Sequence, residues 1–358
     1  MNKNKQLLED NKVDGIFISN LINVQYLTQF TGSTGSALIT KDKVYIFVDP
    51  RYVIQAKDEC PKSEVINYGG SASTATMNDA LKEVIKDNKI TTLGYEGDYI
   101  TVSAFDKLKD ALGDIDLVNV NADSLRQVKN AHEISLIKKA CQITEKIYDY
   151  VIANVKVGMS ELEVSNMMLN KALELGASGM SFDTIVASGV RSSLPHGVAS
   201  SKIIEANDFI TLDFGVFYQG YASDMTRTFV IGDKPDPKHE EIYEIVKEAL
   251  IKATKSVKPG IKASKVDQVA RDYIKEKGYG QYFTHGTGHA IGREIHELPY
   301  VNPNSQTILE PGMIITIEPG IYIEGFGGVR IEDDVLVTKE GHEVLTHTNR
   351  DLMKVEGK

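Results

Sequence analysis

The chain has 358 residues, enough for about two domains at roughly 100–200 residues each. Its 40 Lys and Arg stand against 50 Asp and Glu, a net charge of −10 with a pI near 5.4, which argues against a general binder of nucleic acid or of anionic membranes. Hydrophobic residues make up 42%, charged residues 25%, and the mean hydropathy is −0.21, so each domain has material for a core and no tract reads as disordered.

The opening residues Met1–Gly15 hold no apolar signal core, and no run approaches the ~20 apolar residues of a membrane span. Two cysteines, Cys60 and Cys141, are too few for a disulfide framework and suit a reducing compartment. The expectation is a soluble cytoplasmic protein. The first third alternates strand patterns at Gly15–Ser19, Ala37–Thr40, Val44–Val48, Thr92–Tyr95 and Leu117–Val120 with helical patterns at Val53–Lys57, Met77–Lys86 and Thr101–Leu112. That alternation predicts an α/β layer fold. No glycine-rich phosphate loop follows its first strand.

A long helix is predicted next, over about residues 131–155, where Ile134, Ile137, Cys141, Ile147, Tyr148, Val151 and Val155 recur at helical spacing. The domain boundary is placed just before it, near Asn121–Leu125, giving domains 1–122 and 123–358. Beyond the helix the sequence echoes itself. Val155-Lys156-Val157-Gly158-Met159 returns as Val257-Lys258-Pro259-Gly260-Ile261, and Val164 and Gly176 return as Val266 and Gly278 at the same offset. Ser160 with Glu163 forms a capping box, and Ser264 with Asp267 a weaker one. Ile210-Thr211-Leu212-Asp213-Phe214-Gly215 likewise returns as Ile315-Thr316-Ile317-Glu318-Pro319-Gly320. A duplicated α+β domain is expected, with one carboxylate at the same place in each half.

The run Asp208–Ile231 reads as a β-hairpin turning at Gln219-Gly220. That register sets Tyr218 opposite Tyr221 and Asp213 opposite Thr226, with Asp224 diagonal to Asp213 on the same face. A second hairpin carries Glu318 and Glu332; a three-residue loop, Glu324–Phe326, would set those two opposite each other. Four carboxylates beside apolar runs repel one another and need a cation, a shared proton or exposure. Nitrogen ligands are available in His285-Gly286-Thr287-Gly288-His289, which is neither the HExxH zinc motif nor a dinucleotide loop. His196 and His296 lie beside Pro, Gly or Glu in two further segments. An oxygen-rich set with one or two imidazoles suits Mn²⁺, Co²⁺ or Fe²⁺, with Zn²⁺ possible.

These residues resemble the pita-bread metallopeptidases, specifically the proline-specific branch of prolidase and aminopeptidase P. The likeness covers nearly the whole chain, through Tyr26–Ser33, Val48-Asp49-Pro50-Arg51-Tyr52, Leu125–Lys129 and Glu133 as well as the acidic hairpins. It implies a creatinase-like α/β N-terminal domain and an α+β pita-bread catalytic domain with a pseudo-two-fold duplication. It also implies two divalent metal ions, most simply Mn, on Asp213, Asp224, His289, Glu318 and Glu332, with Asp224 and Glu332 bridging. By the same resemblance a metal-bridging hydroxide attacks the carbonyl before proline and Glu318 shuttles the proton. His196 and His296 hold the substrate and its oxyanion, His285 lies near the site, and Tyr322 and Arg330 steady the acidic ligands. Arg293 stands where many relatives carry Leu; it is either a partner for a dipeptide's carboxylate or a surface charge. Tyr300 stands where some prolidases place an arginine. The expected activity is hydrolysis of the Xaa-Pro bond in dipeptides or short peptides by a homodimer, with no nucleic-acid or membrane partner. Aminopeptidase P is the enzymatic alternative, and a metal-free peptide-binding module on the same fold is the alternative of another class.

Overall fold

Apolar runs in the first third build six short strands: β1 (Gly15–Ile18), β2 (Ser36–Thr40), β3 (Val44–Val48), β4 (Glu64–Asn67), β5 (Thr92–Tyr95) and β6 (Asp116–Asn119). The computed structural model describes residues 3–70 and 75–357 and divides into two units, Met1–Arg126 and Gln127–Lys358. In the first unit the strands form one sheet in the order β4-β3-β2-β1-β5-β6, antiparallel through β1, β2 and β3 and parallel elsewhere. Ile16 and Ile18 enter one apolar cluster and Phe17 another, so the sheet is covered on both faces and its strands lack polar alternation. The helices are α1 (Lys3–Asn11), α2 (Leu21–Thr28), α3 (Val53–Glu59), α4 (Met77–Asp87) and α5 (Val102–Leu112). Three of these elements lacked a sequence signal. In α1 only Leu7 and Leu8 are buried, α2 depends on its Asn20 cap, and β4 is a polar edge strand.

A short turn, α6 (Ser124–Gln127), leads to α7 (Ala131–Asn154) and α8 (Glu161–Glu174). Capping boxes at Asn130/Glu133 and Ser160/Glu163 start both long helices. Strands β7 (Gly179–Met180), β8 (Ile185–Ser188), β9 (Phe209–Phe214), β10 (Val216–Tyr218), β11 (Tyr221–Ala222) and β12 (Met225–Ile231) follow. The second half repeats the plan with α9 (Pro237–Ser256) and α10 (Ala263–Glu276), then β13 (Gly288–Ala290), β14 (Glu297–Val301), β15 (Ile314–Ile317), β16 (Gly320–Ile323), β17 (Gly327–Arg330) and β18 (Asp333–Val337). Two short strands, β19 (His342–Val344) and β20 (Lys354–Val355), close the chain.

The duplication is visible in the backbone. Helices α8 and α10 each have 14 residues. The glycines before them, Gly158 and Gly260, hold φ of 91° and 85°, and those after them, Gly176 and Gly278, hold 89° and 86°. That left-handed conformation is what favours Gly at all four positions. Ser264 does not cap α10: Lys262 is the cap residue and makes no side-chain cap bond. Asp267 instead accepts from the Thr287 amide and hydroxyl, anchoring the segment before His289.

Both acidic hairpins break where they switch sheets. Tyr218 pairs with Tyr221 and Asp213 with Thr226, but β9 and β12 belong to one sheet while β10 and β11 belong to another. The break falls at Gly215 and Ser223-Asp224. In the second hairpin the Glu324–Phe326 loop pairs Ile323 with Gly327, and the same register persists to Ile317 opposite Asp333. Glu318 and Glu332 therefore stand opposite each other at the interruption, where their amides bond outside the hairpin, to Thr287 O and Thr226 O.

Gly215 permits the first break. A Cβ there would lie 1.7 Å from Ser223 O and 2.5 Å from Ser181 Oγ. Gly215→Ala is expected to destabilise the protein by about 1–3 kcal/mol or more in urea denaturation. Gly341→Ala, with nothing within 4 Å of its Cβ position, is expected to match the parent. Equal stability of the two variants would contradict this account of the break.

Candidate metal centre

Every candidate ligand sits at or near a strand terminus. Asp213 is the penultimate residue of β9, Asp224 immediately precedes β12, Glu318 immediately follows β15, Glu332 immediately precedes β18, and His289 lies within β13. Ligand atoms of Asp224, His289 and Glu332, all buried, lie within 4.8 Å of one another. His289 Nε2 is 3.5 Å from Asp224 Oδ2 and 3.5 Å from Glu318 Oε1. Asp213 and Glu318 line the same cavity of about 490 Å³. His196, His285 and His296 also line it, as do the apolar Phe182, Ile185, Pro195, Val198 and Ile295.

The surrounding hydrogen bonds hold one oxygen of Asp213 and one of Glu332 and leave the other unpaired. Arg330 donates to Asp213 Oδ2, and the Thr226 hydroxyl donates to Glu332 Oε2 at 2.7 Å. Asp213 Oδ1, Asp224 Oδ1 and Glu332 Oε1 are buried without a hydrogen-bond partner. Unpaired buried oxygens are costly, and three of them in one acidic cluster are the donor chemistry of a divalent-cation site. His289 fits the same role. Its Nδ1–H donates to Ala290 O at 3.1 Å, which leaves Nε2 as the lone-pair nitrogen facing the acids.

Burial pushes the Asp224 and Glu332 carboxyls well above the ordinary range, and neighbouring acids push them further. Burial also raises Glu318 to about 7 against the opposing charge of Arg330. The His289 imidazole is driven down to about 3 by burial and by His296, so it is neutral at physiological pH and able to ligate. Among the described residues no Lys or Arg forms an ion pair with Asp224, Glu318 or Glu332.

Arg330, which lines the cavity, is the hub of the site's hydrogen bonds. Besides Asp213, it donates to Thr226 Oγ1 at 3.1 Å and to the Tyr322 hydroxyl at 2.6 Å. Tyr322 lies 2.9 Å from His285 Nε2, and His285 Nδ1 bonds Gly286 O at 2.7 Å. Both His285 nitrogens are thus engaged, and burial with the nearby Arg330 lowers its pKa to about 4. His296 faces His289 edge-on, with ring centroids 4.4 Å apart. Arg293 is not brought into the cavity wall; its guanidinium lies over the Tyr221 ring, 5.4 Å from the centroid. Tyr300 does line the cavity.

Several supports escaped the sequence reading. Fully buried Arg227 bonds Thr226 O, Glu332 O and Asp333, so it ties the two hairpins together behind the ligands. Asp334 Oδ2 accepts from the Asp224 amide at 3.0 Å and from the Cys141 thiol at 3.3 Å. Thr316 accepts from the His289 amide and donates toward Glu318. The one available signal was the repeated Ile-Thr-hydrophobic-acid pattern, which places Thr316 two residues before Glu318.

Comparison with known proteins agrees with this chemistry. Residues 135–339 match the model of metallopeptidase family M24, and residues 1–128 match the creatinase/prolidase N-terminal domain. The chain is 40% identical to the Xaa-Pro dipeptidase of Pyrococcus furiosus over 97% of both sequences. A solved Xaa-Pro dipeptidase from Bacillus anthracis superposes with a TM-score of 0.94 at 43% identity, covering 98% of each chain. The X-Pro aminopeptidase of Thermotoga maritima superposes at 0.88 with 37% identity, covering 98% of this chain and 100% of that one. This chain belongs to metallopeptidase family M24, whose members use divalent metal.

The raised carboxyl pKa values set the sign of a pH effect. A carboxyl with a higher pKa in the folded than in the unfolded chain stabilises the fold below its unfolded value, and that contribution is lost as pH rises through the folded value. For Glu318 the window runs from 4.5 to about 7. Chelator-treated protein is therefore expected to melt lower at pH 8 than at pH 5.5, with saturating divalent cation removing most of the difference. A chelated protein equally stable at both pH values would contradict the electrostatic account.

Proposed function

We propose that this metallopeptidase is an Xaa-Pro dipeptidase, a prolidase, which hydrolyses the bond before proline in dipeptides and very short peptides. The observation that carries the reading is the buried Asp224–His289–Glu332 cluster in a chain similar over almost its full length to proteins named Xaa-Pro dipeptidase. Asp213, Asp224, His289, Glu318 and Glu332 would hold two divalent cations. The oxygen-rich donor set with one imidazole favours Mn²⁺, with Co²⁺, Fe²⁺ or Zn²⁺ as substitutes. Such a pair of cations supplies Lewis acidity and an activated water.

The chain's own groups do the rest. Glu318 takes the proton from the attacking water and delivers it to the departing proline nitrogen. His196 and His296 hold the substrate carbonyl and stabilise the oxyanion as it forms. Arg330 fixes Asp213 directly and Glu332 through Thr226, while Tyr322 links Arg330 to His285. Phe182, Ile185 and Val198 give the cavity an apolar wall suited to a pyrrolidine ring. Two cysteines, both free and buried, suit a cytoplasmic enzyme, and the family resemblance suits a homodimer.

Aminopeptidase P is the second reading, and the position of Arg293 favours it. With its guanidinium over Tyr221 and outside the cavity wall, Arg293 does not meet a dipeptide's carboxylate in this structure. The two readings separate on substrate length. Mn²⁺-loaded protein is expected to cleave Ala-Pro with a kcat/KM at least about 10-fold above that for Ala-Pro-Ala, a difference of about 1.4 kcal/mol. The reverse preference would make the enzyme an aminopeptidase P.

A further inference from the structure

We infer that the buried Lys129–Glu297 ion pair is a positioning device that presents His296 to the substrate. Lys129 Nζ lies 3.0 Å from Glu297 Oε2, and the two side chains are 1% and 3% exposed. The second oxygen, Oε1, accepts from the Arg293 amide at 2.9 Å and the Glu294 amide at 3.2 Å. One carboxylate therefore gathers the 292–297 loop around itself while a buried ammonium fixes it from behind. The loop is shaped for this. A Cβ on Gly292 would lie 2.4 Å from Glu297 Oε2, so the backbone closes over the carboxylate only because residue 292 has no side chain.

Glu297 begins β14, where its backbone pairs with Ala290 next to His289. His296 is the last residue of the bend that precedes the strand; it lines the cavity, and Glu297 does not. Holding Glu297 back against Lys129 turns His296 forward into the cavity, where its ring meets His289 at 4.4 Å. The loop also braces the first hairpin, since Gly292 O accepts from the Ala222 amide at 2.7 Å, two residues before Asp224. Neither Lys129 nor Glu297 lines the cavity, so both act through His296.

This inference rests on His296 being a substrate-facing group, and a double-mutant cycle tests the two ideas separately. Glu297→Asp keeps the charge pair but shortens the reach by one methylene, so it cannot hold both Lys129 and the loop amides. It is expected to lower kcat for Ala-Pro by about 10–100-fold with Mn²⁺ content, measured by elemental analysis, unchanged. Glu297→Gln, which leaves the ammonium unpaired, is expected to act in the same direction. In a His296→Ala background, Glu297→Asp is expected to cost no further activity, because the group it positions is already gone. Additive losses in that background, parent-level activity of Glu297→Asp, or a loss of activity that tracks lost Mn²⁺ would overturn the inference. Parent-level activity of His296→Ala would instead overturn the role given to His296.

Discussion

Four carboxylates, three buried and Glu318 partly so, packed where two hairpins break, are the constraint on which the rest of this structure depends. Like charges in a low-dielectric interior cannot all ionise without compensation. Arg330 compensates Asp213, and Arg227 with Arg350 compensates Asp333, but among the described residues no Lys or Arg is ion-paired with the other three acids of the site. Asp224, Glu318 and Glu332 are left with neutral His289 facing Asp224 and Glu318 and with the charge of Arg330 felt by Glu318. That imbalance is what bound divalent cations would relieve. It also explains why so much hydrogen bonding converges behind the acids: each Thr, Arg or amide that holds one oxygen directs the other toward a shared ligand.

The duplication explains how a chain can assemble such a cluster. Each half supplies a pair of helices and an acidic hairpin, and each helix pair packs on the strands of its own half. Residues of α7 and α8 enter one cluster with β9 and β12, while residues of α9 and α10 enter another with β15 and β18. Each hairpin changes sheets at its acids, so the strand termini of both halves meet at the cavity. Arg227 and Arg330, one from each half, reach across to the other half's hairpin. The second unit can then be rigid in its helices and strands while its chemistry sits at the interruptions between them.

Much of this was legible in the sequence because it is local. The Gln219-Gly220 turn fixed the register that puts Asp213 opposite Thr226, and the echoed glycines marked positions needing a left-handed backbone. The register of the second hairpin was not fixed in this way: Glu324–Gly327 allows several turns, and the structure adopts the three-residue loop 324–326 that sets Glu318 opposite Glu332. What escaped was long-range or lacked periodicity. Arg227, Asp334 with Cys141, and Lys129 with Glu297 are partners across large sequence separations, and nothing in the spacing of either member announces the other. Arg293 is another such case: its neighbour is Tyr221, on the first hairpin. Ser264 resembled a cap by residue type, but the helix starts at Ala263 and leaves it inside the first turn.

The central claim is that the acids of the two hairpins form one dinuclear cation site, and metal stoichiometry tests it most directly. Protein stripped with chelator and titrated with Mn²⁺ in a calorimeter, with elemental analysis of the saturated sample, should bind two equivalents per chain. No tight binding, or saturation at a single equivalent, would contradict it.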